Sequence, residues 1–498
     1  MPGGRRNPLS INNIIEKVGD VVHGTTSHVG DAVSQTDARS YVDLAIQFIG
    51  ASGLPKLDVV GSADPYFVAK LDHKISFVST VKENTQQPVW NEIWRVKNVP
   101  TTADLSVEVL DKDEAAAYDD YVGKFNISIS PGAKEAEIEG PVLRKKGGTF
   151  WIRIDSSPAQ DPKPHLHSYV FDGPVRYSRH NSPTVGLFTN RDDTRLYSTW
   201  KLYLKSVPIF FSADVPPQHW NRDYKAAQSI FQGPASIAVR GPIQAGHRML
   251  YARTSHNGFG LIDGPRDVMN LLHGGAGSHA SGSDSDKTAI NPAGAPITTP
   301  SPDPAASVAT PFAHRVKPAV YTYILSNDDD SFRFSETGAA FFVDFASKHA
   351  LHSNCSEFVR FSGEFHPRPV GGWQNFNDNI RDEDIGWELV IDNNSGTYSP
   401  DPMLLPNLKE LLEYNFPGFG VVALDFKNPA LAESRDACRA YALKYRGVQQ
   451  EELQPTAKAG EVTLSNEARD PAAAMANAGR AIRDTLSGLA PRKAAATS

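Results

Sequence analysis

Two cysteines, Cys355 and Cys438, are all that 498 residues carry. At most one disulfide can form, which excludes an oxidised secreted scaffold framed by several bridges. No stretch approaches the roughly 20 consecutive apolar residues of a membrane-spanning helix. Residues 1–8 are polar and hold no apolar signal core. Together these absences predict a cytoplasmic address and, at most, peripheral membrane contact. No block rich in Lys and Arg occurs, and the formal net charge of −7 is mild, so no nucleic-acid partner is expected. A P-loop, a dinucleotide fingerprint, a nucleophile elbow and a zinc spacing are all missing, as is any internal repeat.

What is present is ordinary soluble composition, 40% hydrophobic and 21% charged, over a length suited to two or three domains. Within residues 1–40, Ile11, Ile14, Ile15, Val18, Val21 and Val22 recur at helical spacing behind Ser10 as a possible N-cap, which predicts a short amphipathic helix. From 41 to 157 short alternating runs, such as Leu105 to Leu110 and Thr149 to Ile154, predict an antiparallel β-sandwich. Pro158 to Pro164 reads as a joint. Residues 165–272 mix strands, including Trp200 to Pro208 and Arg248 to Arg253, with short helices. Residues 273–312 are low-complexity Gly, Ser, Ala and Pro, which cannot bury a core and predict a disordered linker. Residues 313–448 follow the order strand, helix, strand, strand, helix, strand, as in split βαβ folds. They would form one α+β domain with 165–272, the linker being an insertion. Residues 449–498 are an Ala-rich tail expected to be disordered.

Carboxylates crowd two segments of the sandwich. Asp58 and Asp64 lie in the first, Asp111, Asp113, Asp119 and Asp120 in the second. So many like charges in one place need a counter-cation, and Ca²⁺ suits several carboxylates on loops.

These segments resemble the C2 domain family. The matching pieces are Gly53-Leu54-Pro55, Asp58, Ala63-Asp64-Pro65-Tyr66, Pro88-Val89-Trp90-Asn91-Glu92, Val109-Leu110-Asp111-Lys112-Asp113 and Asp120-Tyr121-Val122-Gly123, in family order over under a quarter of the chain. The resemblance implies an eight-stranded antiparallel sandwich whose loops bind Ca²⁺ and then phospholipid. Carried over by position, Asp58 and Asp64 are first-loop ligands. Asp111, Asp113 and one of Asp119 or Asp120 are third-loop ligands. Asp120 keeps the family distance to Gly123, Asp119 that to Asp111, and Asp120 is favoured by a small margin. Val59 and Val60 on the first loop, with Tyr118 and Tyr121 on the third, are the expected membrane contacts. The Ala115-Ala116-Ala117 stretch lacks the basic residues many members place there. Lys70, Lys74 and Lys82 would line one sheet face, where a solvated surface is the simpler reading.

The expected function is calcium-dependent binding to an anionic phospholipid membrane, bringing a C-terminal interaction domain and its protein partner with it. The alternative is a membrane-associated hydrolase of lipid or phosphate groups. Its residues would be Glu364 and His366, alternating onto one strand face, with Asp392 at the end of another. A non-enzymatic role is the preferred reading. Residues 316–426 also resemble an uncharacterised region that follows C2 domains in proteins of filamentous fungi, a resemblance that implies no activity.

Overall fold

The computed structural model describes residues 40–56, 63–112, 119–141, 147–182, 197–212, 214–251, 259–273, 316–336, 348–377, 379–380 and 384–445. The helix expected near residues 10–22, the linker from 274 on and the 449–498 tail lie outside them.

Eight strands build the first region: β1 (Tyr41–Ser52), β2 (Pro65–Leu71), β3 (Ile75–Val78), β4 (Val89–Pro100), β5 (Asp104–Asp111), β6 (Asp120–Ser128), β7 (Gly132–Glu137) and β8 (Thr149–Pro158). They pair antiparallel in two sheets, ordered β7-β8-β1-β4 and β3-β2-β5-β6. The period-2 pattern of the sequence becomes a period-2 pattern of burial. Along β2, Pro65, Phe67, Ala69 and Leu71 turn inward; along β5, Leu105, Val107, Val109 and Asp111 do so. The core between the sheets is aromatic. The Phe48 ring lies 4.5 Å from Phe67, 5.4 Å from Phe77 and 6.5 Å from both Trp94 and Phe150. Burying rings of this size supplies most of the driving force for closing the sandwich. The expected antiparallel sandwich is therefore present.

A further strand, β9 (Val170–Gly173), pairs with β4 and extends the first sheet to five strands. The remaining strands are β10 (Val175–Ser182), β11 (Tyr197–Tyr203), β12 (Gln218–His219), β13 (Phe259–Ile262), β14 (Tyr321–Ser326), β15 (Ser331–Glu336), β16 (Phe358–Pro369), β17 (Trp387–Ile391) and β18 (Phe419–Ala423). They form one sheet in the order β13-β10-β11-β15-β14-β16-β17-β18, with β12 on β16. Helices α1 (Val207–Phe210), α2 (Lys225–Phe231), α3 (Ala235–Tyr251), α4 (Pro265–His273), α5 (Lys348–His352), α6 (Leu405–Asn415) and α7 (Pro429–Tyr445) accompany it. Trp200 stacks on Phe334 and Tyr321 on Phe365, and Tyr321 meets Phe334 edge-on.

This β-rich region differs from expectation in two places. Arg248 to Tyr251 closes helix α3 and is not a strand. Ser236, Ile243 and Leu250 bury at seven-residue intervals, two helical turns apart, and that face outweighs the local strand-like alternation. Strand β15, which forms a hairpin with β14, is not among the expected elements; of the helix expected over Glu336 to His352, residues 337–347 lie outside the described residues and Lys348–His352 is helical. Asp329, in the turn between β14 and β15, pairs with Lys201 at 2.8 Å and with Arg333 at 2.7 Å. From residue 316 on, the described elements run β14, β15, α5, β16, β17, α6 and β18, which is the expected order with β15 added, and among the described residues only β17 and β18 pair parallel in this sheet.

Candidate functional site

The two acidic segments meet where β2 begins and β5 ends. Pro65 pairs with Asp111 across the ladder, and Asp111 pairs with Asp120 on β6. Asp111 holds an inward-facing register position at the last residue of its strand, so its carboxylate is buried. Its Oδ1 accepts the Asp64 backbone N–H at 2.6 Å. The Asp64 Oδ1 in turn accepts the backbone N–H of Asn84 at 2.6 Å. Asn84 adopts φ 56°, a left-handed conformation that Asn tolerates better than most side chains. Two candidate ligands from separate loops are thus fixed to each other and to a third loop by charge-assisted hydrogen bonds.

A register shift between Val109 and Leu110 inserts Val122 as an extra residue in β6. Such a bulge turns the strand and re-aims its side chains. Gly123 follows it, and a Cβ there would stand 2.5 Å from the Glu139 carbonyl oxygen. Only glycine admits that close approach.

Asp119 and Asp120 receive different surroundings. Asp120 is exposed opposite Asp111. Asp119 is half-buried: its Oδ2 accepts the Tyr66 hydroxyl at 2.7 Å, and Lys112 Nζ stands 3.1 Å from Oδ1. Burial, with Asp119 beside it, pushes the Tyr66 hydroxyl pKa upward. The Lys112 side chain is only 7% exposed. Its part was not drawn from the sequence, although a lysine between two aspartates is a signal that could have raised it.

Asp58, Asp113, Val59, Val60 and Tyr118 lie outside the described residues. Among the described residues no group of three or more acidic, histidine or cysteine side chains is arranged to hold a metal ion. The candidate donors are carboxylate oxygens, which suit a hard cation such as Ca²⁺. Tyr121 is 42% exposed and sits within β6, opposite Leu110. Lys70 is paired with Glu108 at 3.2 Å.

In the second region the structure brings Glu364 and Asp392 into contact through the Glu364 backbone and gives the Glu364 and His366 side chains partners on α7. Glu364 pairs with Arg435 of α7 at 2.9 Å. His366 is buried with Nε2 2.8 Å from Ser434 Oγ. Asp392 Oδ1 accepts the backbone N–H groups of Glu364 and Asn394, at 2.8 and 2.9 Å. The Asn393 side chain is tied to Pro400 O and Phe426 N–H, so the 392–398 segment is a packed turn. These contacts lock elements together.

Comparison with known proteins bears on the first region. A model described as "C2 domain" matches residues 42–145. Ras GTPase-activating protein 4 of Mus musculus is 28% identical over 130 residues, covering 26% of this chain and 15% of that protein. Multiple C2 domain and transmembrane region protein 8 of Arabidopsis thaliana is 32% identical over 119 residues, 22% of this chain and 12% of that one. The chain thus spans a small fraction of these relatives' length. Among solved structures, a C2 domain of plant Extended Synaptotagmin 1 is 24% identical and matches 25% of this chain and 99% of its own, with a TM-score of 0.22.

Proposed function

We propose that the C2 domain at residues 42–145 binds phospholipid membranes in response to calcium and brings the second β-rich region to them. The observation that carries this reading is the coupling of Asp64 to Asp111, with Asp119 and Asp120 beside them. Asp58 and Asp113 would complete the oxygen set. A bound calcium ion would supply positive charge and a position open to lipid phosphate. Without it the carboxylates leave this end of the sandwich anionic, and an anionic bilayer repels it. Of the two candidates for the last ligand, Asp119 is favoured, since its side chain is half-buried and held by Tyr66 and Lys112 while Asp120 faces solvent. Among the described residues no helix is long and apolar enough to cross a membrane, which agrees with peripheral attachment. The second region serves as the interaction module.

The test replaces both described anchor carboxylates. Asp64→Asn with Asp111→Asn keeps the side-chain shape and removes the charge. Co-sedimentation with phosphatidylserine-containing vesicles in calcium should fall to the level seen in chelator. A double variant that pellets like the wild type would remove these two residues from the site.

A further inference from the structure

We infer that Lys112 is an internal counter-ion of the aspartate cluster, holding Asp119 until a divalent cation displaces it and so setting how much calcium the loops require. This rests on the calcium reading above.

Lysine side chains normally keep their ammonium in water. Here it is drawn in to 7% exposure and held by both oxygens of one carboxylate, at 3.1 and 3.4 Å. The residue is anchored twice. Its backbone N–H donates to Asp64 O at 3.0 Å, and its side chain reaches Asp119 seven residues on. One lysine therefore ties the first-loop ligand position to the third-loop one. The Tyr66 hydroxyl adds a second donor on Asp119 Oδ2.

An ammonium and a dication cannot share that carboxylate, because like charges a few ångströms apart repel strongly in a half-buried site. Two consequences follow. Before calcium binds, Lys112 offsets part of the anionic charge, which stabilises the ion-free loops and weakens their pull on calcium. When calcium takes Asp119, the ammonium is freed at the same end of the sandwich. The third loop is otherwise poor in positive charge, with Ala115-Ala116-Ala117 at its centre. The released lysine would supply a cation for lipid phosphate there.

Lys112→Met keeps the stem and removes the charge. By isothermal titration calorimetry on the full chain, calcium should bind about tenfold tighter to the variant, the scale on which one adjacent cation shifts the proton affinity of a carboxylate. Thermal stability in chelator should fall. A second readout leaves the wild type intact: acylation of lysines followed by mass spectrometry. Lys112 should react slowly in chelator compared with exposed Lys74 and Lys124, and approach their rate in saturating calcium. Wild type that binds calcium while Lys112→Met binds equally or more weakly, or Lys112 that stays protected in calcium, overturns the counter-ion role alone. Binding by the variant but not by the wild type supports it. No calcium uptake by either protein overturns the calcium reading and this inference with it.

Discussion

His366 lies on β16 and Asp392 just past the end of β17, and their pKa values shift in opposite directions. Burial, with Arg368, Arg435 and Arg439 nearby, lowers the His366 pKa to about 3. His180 is also lowered to about 3, by burial and then by Lys201 and Arg333. Unfolded histidine titrates near 6.5. Between about 6.5 and 3 the unfolded chain takes up protons that these rings refuse, so stability falls as pH falls through that window. Asp392 is raised to about 7, first by burial and then by Glu364. Its folded carboxyl holds a proton that the unfolded one releases near 4, so its contribution is lost as pH rises from about 4 to 7. The two effects oppose each other over the same range. Urea denaturation at pH 7, 6, 5 and 4 should show a shallower acid loss for His366→Asn and a steeper one for Asp392→Asn. Slopes equal to that of the wild type would show that neither group is displaced from its ordinary titration.

At the scale of elements, Arg176 joins the two sheets. It leaves β10 and enters the first sandwich, its guanidinium 4.3 Å from the Phe77 ring centre. It donates to Val78 O at 2.7 Å and pairs with Glu92 of β4 at 3.0 Å. Glu92 Oε1 also accepts the Thr80 backbone N–H and hydroxyl. Arg176→Ala leaves the half-buried Glu92 charge without its cation, at a cost of about 3 kcal/mol. Arg176→Lys should restore little, since it lacks the planar fork and the stacking surface. Unfolding in urea measures both, and a loss for Arg176→Ala below ~1 kcal/mol would make the joint no more than a surface pair. Nothing local in the sequence announces this contact, because its partners lie 84 or more residues away. Lys112 differs, since its partner Asp119 follows only seven residues on and its place between two aspartates is a local signal. Where one face of a strand meets an apolar core, as in β2 and β5, alternation is legible. In β15 it is obscured, since Ser331, Arg333 and Ser335 are polar yet buried. Their partners, Asp329, His352 and Tyr251 among them, come from other elements.

On the scale of the whole molecule, the described residues from Tyr41 to Tyr445 fall in one compact unit. The C2 domain does not hang from a free tether there: β9 continues its sheet, and β10 opens the next one two residues later. Membrane attachment at the aspartate end would then carry the nine-stranded sheet along with it. The sequence made the C2 segment legible through a run of short motifs in order, and left the second region's role open because its polar residues serve packing, as His366 does with Ser434 and Glu364 with Arg435. The central claim is tested most directly by pelleting the full wild-type chain with phosphatidylserine-containing vesicles, in calcium and in chelator. The account predicts that the protein pellets with vesicles in calcium and stays in the supernatant in chelator. Equal pelleting under both conditions, or none under either, would contradict it.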